Sequence, residues 1–341
     1  MLPDIPFIDI RGATPVALLE RFPDRARALA KATTRTFGLA SELGARAAFP
    51  FMDRASRAWL ERANNPYRDE ILAFESVLGI EGVTTLNICF EWGCTSGAFR
   101  IEGDIVLRRV LDWKFPALGE HLIVAHQSGP AGDFYNVTWP AMSGIYHAMA
   151  PGRFAAAINQ APMRGYGRTM AGDWVKNRVA AKAATGLPAA HLLRHVFETA
   201  RDYAAARRML CETPIAVPAI FILAGMGEGC VIERVEDVFA VREIEGDRVC
   251  ASNHFESHLK TTAKTWHPRS KDSPERLACA LSLDARAVND GFAWFVPPIA
   301  NATSRVVLNA CPKTRALDVL GVYGCAPVTR AFALSPSFAA E

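Results

Sequence analysis

The sequence predicts an α+β fold in which two mainly antiparallel sheets lie between layers of helices. Up to position 93 the chain is rich in Ala, Leu, Arg and Glu, with proline and asparagine breaks, which is typical of several consecutive helices. Beyond it come short apolar runs separated by turn residues, a pattern typical of strands. A helical block over about 173–210 interrupts those strands. Sheets and helices in this order share one core when they stack as layers, so we expect one folded domain.

The totals fit a globular protein and argue against several classes of function. Half of the 341 residues are hydrophobic and 21% are charged. The net charge of +3 is too small, and the basic residues too scattered, to predict nucleic-acid binding. No apolar run reaches the roughly 18–20 residues of a membrane span, and the N-terminus lacks the pattern of a secretory signal. The eight cysteines contain no CxxC pair, so we expect free thiols and a cytoplasmic protein.

The N-terminal third is predicted to contain one short strand followed by helices. Phe7–Gly12 has the pattern of a strand that ends at a glycine, and helices are expected over 15–63. After the break at 64–66, apolar residues recur at helical spacing up to Leu78. Acidic residues in the first turn of that helix, at 69 and 70, suit the positive end of the helix dipole.

The rest of the chain is predicted to alternate strands with helical blocks. The Pro151–Gly152 dipeptide between two apolar runs indicates a hairpin, and Ser273 is expected to cap a helix that has Pro274 in its first turn. Strands are expected at 105–107, 121–124, 134–137, 147–149, 154–158, 219–223, 230–232, 239–241, 249–251, 305–308 and 316–320, and helices at 173–184, 189–210 and 273–283.

Two familiar kinds of site are disfavoured by their spacing. The glycines of Gly225–Gly229 follow an apolar run, but the third glycine and the helix of a dinucleotide-binding loop are absent, so a tight turn between strands is expected. His254 and His258 lack both the adjacent glutamate of a zinc protease and a third ligand. We therefore expect neither a cofactor nor a metal ion.

The stretch around Cys94 carries the chemistry that the sequence favours. Gly93 lets the backbone bend sharply before the cysteine. A cation such as Arg109 favours the thiolate form of a nearby cysteine. Asp112 could hold an α-amine, whose ordinary pKa near 8 suits proton transfer at neutral pH. The residues alone leave two interpretations open: an activated thiol, or a salt-bridged Arg109/Asp112 turn beside a buried, inert thiol.

A family resemblance favours the activated thiol. The start of the catalytic subunit in the acid ceramidase and N-acylethanolamine acid amidase group resembles two segments of this chain, Gly93–Ser96 and Arg109–Trp113. The same segments resemble the fungal acyltransferase that makes penicillins. These are cysteine N-terminal nucleophile (Ntn) hydrolases of the choloylglycine hydrolase branch, which includes bile salt hydrolases and penicillin V acylases. Further similar segments follow in the same order on either side: Pro66–Ile71, Leu86–Glu91, Pro151–Asn159, Pro218–Leu223, Gly227–Ile232, Ser252–Phe255 and Asp272–Arg276.

The resemblance implies a fold and a maturation step. The fold would be a four-layer αββα sandwich of two mainly antiparallel sheets between helical layers. An inactive precursor would cleave itself between Gly93 and Cys94. Residues 1–93 would form a helical, propeptide-like α-segment and residues 94–341 the catalytic β-segment, both remaining parts of one folded domain.

The resemblance also implies a set of catalytic roles. Cys94 would be the nucleophile in self-cleavage and in attack on the substrate carbonyl. Arg109 and Asp112 would orient and tune it, and Asn253 would donate its side-chain amide to the oxyanion. The distal arginine of the site would be Arg276 or Arg269.

The substrate implied is a small molecule with a linear N-acyl amide bond. Asn159 and Gln160 would lie in its binding site, and ceramidases carry a glutamate at the position of Gln160. The reaction would be hydrolysis through a Cys94 acyl-thioester. Alternatives are an acyltransferase of the penicillin type and a catalytically silent relative that binds an acyl ligand. The partners would be the two fragments of the chain after cleavage, and the resemblance also allows a homo-oligomer.

Overall fold

A computed structural model of the chain describes residues 1–36, 42–88, 92–167, 169–263, 265–267, 270–284, 287 and 289–334. Within them the helices are α1 Val16–Arg21, α2 Pro23–Thr36, α3 Glu42–Arg62, α4 Arg68–Leu78, α5 Val83–Asn87, α6 Met170–Ala183, α7 Ala189–Thr199, α8 Tyr203–Glu212 and α9 Ser273–Ser282. The strands are β1 Phe7–Asp9, β2 Gly93–Ile101, β3 Asp104–Asp112, β4 Ile123–Gly129, β5 Gly132–Thr138, β6 His147–Ala150, β7 Phe154–Gln160, β8 Met163–Arg164, β9 Ala219–Ala224, β10 Gly229–Val235, β11 Val238–Glu243, β12 Arg248–Ala251, β13 Trp266–His267, β14 Ser304–Cys311, β15 Ala316–Tyr323, β16 Ala326–Pro327 and β17 Phe332–Leu334.

The first large sheet has the strand order β1-β4-β5-β6-β7-β9-β10-β11 within the described residues. Its pairs are antiparallel except that β1 lies parallel to β4. The predicted hairpin at Pro151–Gly152 is confirmed as the β6–β7 connection, in which Gly152 has a φ of +70° that favours glycine. The tight turn predicted at 225–229 is confirmed between β9 and β10.

The second large sheet has the order β12-β2-β3-β14-β15-β16, and β17 also pairs with β15. The two-residue turn Glu102–Gly103 joins β2 to β3 with positive φ at both residues, which suits the right-handed twist of a hairpin. The register of this hairpin places Cys94 opposite Leu111, and Ser96 opposite Arg109. Arg109 is therefore brought beside the start of β2 although 15 positions separate it from Cys94 (109 − 94).

The two large sheets stack face to face between helices, which confirms the predicted four-layer arrangement. A buried apolar cluster joins them, with Leu107 from β3 and Val231 from β10 among its members. On the outer side of the first sheet, α7 contributes Leu192 and Phe197 to the same cluster. On the outer side of the second, Leu277 and its neighbours on α9 pack with a separate cluster that contains Phe99 and Val110.

The N-terminal helices share apolar packing with the remainder of the chain. Trp59 and Leu60 of α3 and Ile71 of α4 form one buried cluster with Ala216, which precedes β9. None of the helices in the described part of the chain combines the length and the apolar character needed to cross a bilayer.

The predicted helix over 189–210 is wrong as a single element, because it breaks after Thr199. Ala200 has extended backbone, and the Asp202 carboxylate accepts a hydrogen bond from the Ala205 N–H, which starts α8 as a new helix. The break shifts the buried face, so that Ala206 is buried and Ala204 is exposed.

Two smaller predictions also need correction. Ser273 is the first residue of α9 and Asp272 precedes it as the cap, while Pro274 does lie in the first turn. The hydroxyl of Ser273 instead accepts the N–H of Asn253 at 2.8 Å. The strand predicted at 121–124 begins only at Ile123.

Candidate active site around Cys94

Cys94 is the second residue of β2 and is completely buried. Its N–H donates to Asn253 Oδ1 at 2.8 Å. Its carbonyl oxygen accepts from Ser252 Oγ at 3.0 Å and from Arg276 Nη1. Its Sγ lies 3.7 Å from the carbonyl oxygen of Ile158 on β7. Side chains from the end of β12 and from α9 therefore hold both polar groups of the Cys94 backbone.

The thiol of Cys94 is in an environment that keeps it protonated. Burial raises its pKa above the ordinary value, and the charge of Asp112 adds to this effect. Arg109 and Arg276 act in the opposite direction, Arg109 more strongly. Arg109 thus favours the thiolate, as expected from the sequence, but burial outweighs it in the continuous chain.

Arg109 is a fully buried cation whose hydrogen-bond partners are neutral. Its Nε donates to His147 Nδ1 at 3.0 Å, and its Nη1 donates to Asn159 Oδ1 at 2.8 Å and to Ser96 Oγ at 3.2 Å. The ion pair with Asp112 considered from the sequence is wrong. Residues three apart in a strand point to opposite faces, and within the described part of the chain the cation within 4 Å of Asp112 is Arg276.

Asp112 lies beside the peptide bond between Gly93 and Cys94. It ends β3 directly opposite Gly93, and a Cβ added to Gly93 would lie 3.1 Å from the Asp112 Cβ. Ser304 Oγ donates to Asp112 Oδ1 at 2.7 Å, and Arg276 Nη1 is 3.6 Å from Oδ2. Burial raises the pKa of Asp112, and Arg276 is the strongest opposing influence. A side chain at position 93 would press tightly against Asp112 and shift it by a few tenths of an ångström.

Asn253 turns its oxygen toward Cys94 in the continuous chain. Its Oδ1 accepts from the Cys94 N–H and from Arg276 Nη2, the latter at 2.9 Å. Its Nδ2, the group expected to donate to an oxyanion, donates to the Gln160 carbonyl oxygen at 2.9 Å.

Arg276 lies at the centre of the site. In addition to the Cys94 and Asn253 contacts, its Nη1 donates to Thr95 Oγ1 at 2.8 Å and its Nη2 to Ser270 Oγ at 2.6 Å. The other candidate for the distal arginine, Arg269, lies outside the described residues, as do the last three residues of the upstream Leu86–Glu91 segment.

The two residues expected to bind substrate differ in their free hydrogen-bonding capacity. Asn159 uses both ends of its amide: Oδ1 accepts from Ser96 and Arg109, and Nδ2 donates to the carbonyl oxygens of Ala251 and Ser252. Gln160 Oε1 accepts from the Trp92 N–H at 2.8 Å. Its buried Nε2 has no acceptor among the described residues. Asn159 therefore supports Arg109, whereas Gln160 presents a donor beside the site.

Sequence reasoning missed several residues of this site. Thr95, Ser96, Ser252 and Ser273 lie in segments that carry the family resemblance, but no spacing there marks them as site residues. His147, Ser270 and Ser304 come from segments without such a signal. The missed residues are Ser96, Thr95, His147, Ser252, Ser270, Ser273 and Ser304.

An aromatic group and an apolar cavity adjoin the site. The Trp113 ring contacts the rings of Trp92 and Tyr146, with centroid separations of 5.5 Å to each. Trp113 also lines a cavity of about 60 Å³ whose other walls come mainly from α2, from α4–α5 and from the segment after β5. Its remaining lining residues are Ala26, Leu29, Ala30, Thr33, Leu78, Val83, Leu86, Asn87, Phe115, Leu118, Pro140, Ala141 and Met142.

The described residues contain no group of three or more His, Cys, Asp or Glu placed to hold a metal ion. Of the histidine pair noted in the sequence, His254 contacts Ser273 Oγ at 2.7 Å and Glu256 at 2.9 Å. Seven cysteines lie in the described residues, and all seven are free thiols.

Comparison with known proteins identifies the fold. No family model and no curated protein sequence matches the chain. Among solved structures, a Caenorhabditis elegans ortholog of N-acylethanolamine-hydrolyzing acid amidase matches with a TM-score of 0.50 and 16% identity, covering 71% of this chain and 100% of that one. A mutant of conjugated bile acid hydrolase from Clostridium perfringens (TM-score 0.43, 10% identity, 72% and 93% covered) and penicillin V acylase from Agrobacterium tumefaciens (0.41, 12%, 72% and 86%) also match. The match with the amidase ortholog confirms the Ntn-hydrolase fold expected from the sequence.

Proposed function

We propose that this protein is a cysteine amidohydrolase that cleaves its own Gly93–Cys94 bond and then hydrolyses a linear N-acyl amide through a Cys94 thioester. One observation carries the proposal. Four polar side chains that the sequence associated with the nucleophile converge, buried, around Cys94: Arg109 and Asp112 from β3, Asn253 from the segment after β12, and Arg276 from α9.

Self-cleavage would begin as an acyl shift from nitrogen to sulfur. The Cys94 sulfur attacks the carbonyl carbon of Gly93, the C–N bond breaks, and the thiol proton ends on the freed α-amine. Water then hydrolyses the thioester and leaves a carboxylate on Gly93. Asp112 is next to this bond, and its raised pKa suits it to relay a proton. Contacts from Ser252, Arg276 and Asn253 keep the Cys94 backbone fixed meanwhile.

Cleavage would also supply the base that the closed site lacks. The nitrogen of Cys94 is a peptide N–H in the continuous chain, and after cleavage it becomes an amine with an ordinary pKa near 8. Such an amine can take the thiol proton of its own residue. Because burial is the main reason for the raised thiol pKa, separation of residue 93 from Cys94 would lower that pKa as well.

Substrate hydrolysis would then use the same residues. The thiolate attacks the acyl carbonyl, and Arg109, which has no carboxylate partner among the described residues, stabilises the negative charge. The oxyanion needs a donor, worth roughly 3–4 kcal/mol in comparable sites. Asn253 Nδ2 can serve once it leaves the Gln160 carbonyl. The amine departs with a proton, and water hydrolyses the thioester.

The acyl side of the substrate is proposed to be apolar. The cavity next to Trp113 has almost entirely hydrocarbon walls, and Trp113 directly follows Asp112. At about 60 Å³ the cavity is far smaller than a typical small-molecule site, so it would hold only a short apolar part of the acyl chain. Helix α2 contributes several walls of this cavity, so residues 1–93 would remain bound and help to select the substrate.

A denaturing gel tests the proposal directly. The purified wild type should run as two fragments of 93 and 248 residues (341 − 93), and mass spectrometry should place the cut between Gly93 and Cys94. The Cys94→Ala variant should stay one band, and only the cleaved protein should hydrolyse p-nitroanilides of apolar acids. A wild type that stays full-length after long incubation, and hydrolyses none of them, would contradict self-activation.

The second candidate is a silent relative that binds an acyl ligand without turnover. The complete burial of Cys94 and the raised pKa of its thiol favour it. A thiol-reactive acyl probe separates the two, because an activated Cys94 should be labelled within minutes at pH 7. In a silent relative the probe should label Cys94 no faster than it labels the other buried cysteines.

A further inference from the structure

The orientation of Arg109 depends on three neutral acceptors on neighbouring strands. Each hydrogen bond to a buried guanidinium matters, because burial of an unbonded charge is strongly unfavourable. Asn159 and Ser96 both bond to Nη1, whereas His147 bonds to Nε. Nη2 has no hydrogen-bond partner among the described residues. The bond from Nε to His147 is therefore the contact that holds the Nε side of the guanidinium.

His147 can accept this bond in one protonation state only. It is the first residue of β6, and both it and Arg109 are completely buried. Since Nδ1 accepts from Arg109 Nε at 3.0 Å, the ring must be neutral and carry its proton on Nε2.

We propose that His147, as a neutral imidazole, is a positioning residue that holds the Arg109 guanidinium in place against Cys94. The proposal rests on the role of Cys94 as nucleophile proposed above. If His147 loses its acceptor, Nε becomes a second buried donor without a partner beside Nη2, the guanidinium shifts, and the cation no longer favours the thiolate to the same extent. His147 does not contact the sulfur, so its effect on the reaction passes through Arg109.

Protonation of His147 would disrupt the arrangement. A proton on Nδ1 would turn the acceptor into a donor facing Nε–H and would place two cations in contact. Burial is the main cause that lowers the pKa of His147 well below its ordinary value, and Arg109 is the next. The carbonyl of Val137 on β5 opposes them.

The ionisable groups near His147 come from more than one element. Strands β6 and β7 carry no other ionisable residue, β5 carries Asp133 and Tyr135, and β14 carries Arg305 and Cys311. The charge that lowers the pKa of the His147 imidazole comes from Arg109 on β3. The bond between the two side chains should therefore persist throughout the neutral range and fail in acid.

Two variants separate positioning from packing. The substitution His147→Asn would place an amide Oδ1 where Nδ1 now lies and cannot be protonated, whereas His147→Phe keeps a ring and removes the acceptor. The readouts are the rate constant for alkylation of Cys94 by iodoacetamide and the separate kcat and KM of amide hydrolysis, from pH 4.5 to 8. His147→Asn should stay within about threefold of wild type and lose less activity in acid. His147→Phe should lose about 10–100-fold in both rates, the usual loss for one hydrogen bond to a charged group, with little change in KM.

A double variant and a spectrum complete the test. Adding Arg109→Met to His147→Phe should cost no more than Arg109→Met alone if His147 acts through Arg109. The ¹⁵N spectrum of imidazole-labelled protein should show His147 as the neutral Nε2–H tautomer from pH 8 to pH 5.5. This measurement needs neither cleavage nor turnover, so it decides the arrangement even if the protein is catalytically silent or His147→Phe does not fold. Titration of His147 near pH 6.5, or alkylation of His147→Phe at the wild-type rate, would overturn the proposal.

Discussion

The state of Cys94 is decided by competing effects on a single thiol. Burial raises its pKa, and two arginines lower it without prevailing. The thiol of the continuous chain is therefore a weak nucleophile toward an external substrate, because the protonated thiol is the less reactive form. Activation requires a change that removes burial or supplies a base, and cleavage before Cys94 would do both. The same residues can thus belong to an inactive precursor and to an active enzyme.

Gln160 is the residue whose identity has the clearest consequence for pH. Gln160→Glu would keep an oxygen for the Trp92 N–H. Its second carboxylate oxygen would replace Nε2, which is buried and has no acceptor among the described residues. We expect the free energy of unfolding to fall by about 1–3 kcal/mol at pH 7.5. Burial would raise the pKa of this glutamate, so the folded state would hold the proton more tightly and the loss would shrink toward pH 5.

The control for this prediction is Gln160→Met, which loses the hydrogen bond from the Trp92 N–H but adds no charge. Urea unfolding of both variants should show a pH-dependent deficit for the glutamate and a nearly constant one for the methionine. Equal deficits at pH 5 and pH 7.5 in Gln160→Glu would show that this position does not bury the charge.

At the scale of elements, an ion-pair group joins α4 of the N-terminal segment to α7. Arg194 donates to both carboxylate oxygens of Glu70, at 2.6 and 3.0 Å, and to Glu198 at 2.8 Å. The Tyr67 hydroxyl donates to Glu198, and the Arg194 guanidinium lies 4.1 Å from the centre of the Tyr67 ring. The Arg194 and Glu70 side chains are only 9% and 8% exposed. Contacts of this kind would hold residues 1–93 in place after the chain is cut.

We expect Arg194→Met to weaken that attachment. Removing one partner of a buried ion pair leaves an uncompensated charge and costs about 3–5 kcal/mol. In the cleaved protein the 93-residue fragment should then separate on size-exclusion chromatography in low urea, where the wild type stays intact. Arg27→Met is the matched control, because the Arg27–Asp24 pair in α2 is 3.4 Å long and exposed, and such pairs contribute about 0–1 kcal/mol. Co-elution of both fragments from Arg194→Met would show that apolar packing alone retains the segment.

At the scale of the whole molecule, local patterns predicted the layers better than they predicted the contacts of the site. Alternating apolar runs and the Pro151–Gly152 turn identified the strands and a hairpin, because hairpins are encoded by neighbouring residues. The sequence did not predict the break after Thr199, because apolar residues at helical spacing (Leu192, Val196, Ala200 and Tyr203) continue across it and only the cap at Asp202 marks it. His147 gave no signal at all: its partner is 38 positions away on another sheet, and one histidine in an apolar strand has no informative spacing.

Stability as a function of pH should reflect a second buried histidine, His191 on α7. Burial is the main cause that lowers the pKa of His191 from 6.5 to about 3, and its Nδ1 accepts from Asn65 Nδ2 at 2.8 Å. Because the folded pKa lies below the unfolded one, this histidine contributes fully above pH 6.5 and its contribution is lost as the pH falls toward 3. Between pH 7.5 and pH 5 the free energy of unfolding should drop by about 2 kcal/mol through His191. Urea unfolding in the uncleaved Cys94→Ala background measures this drop. His191→Asn keeps an acceptor for Asn65 but cannot titrate, so it should lessen the drop by about 2 kcal/mol. Identical dependence of the unfolding free energy on pH in the two proteins would contradict the prediction.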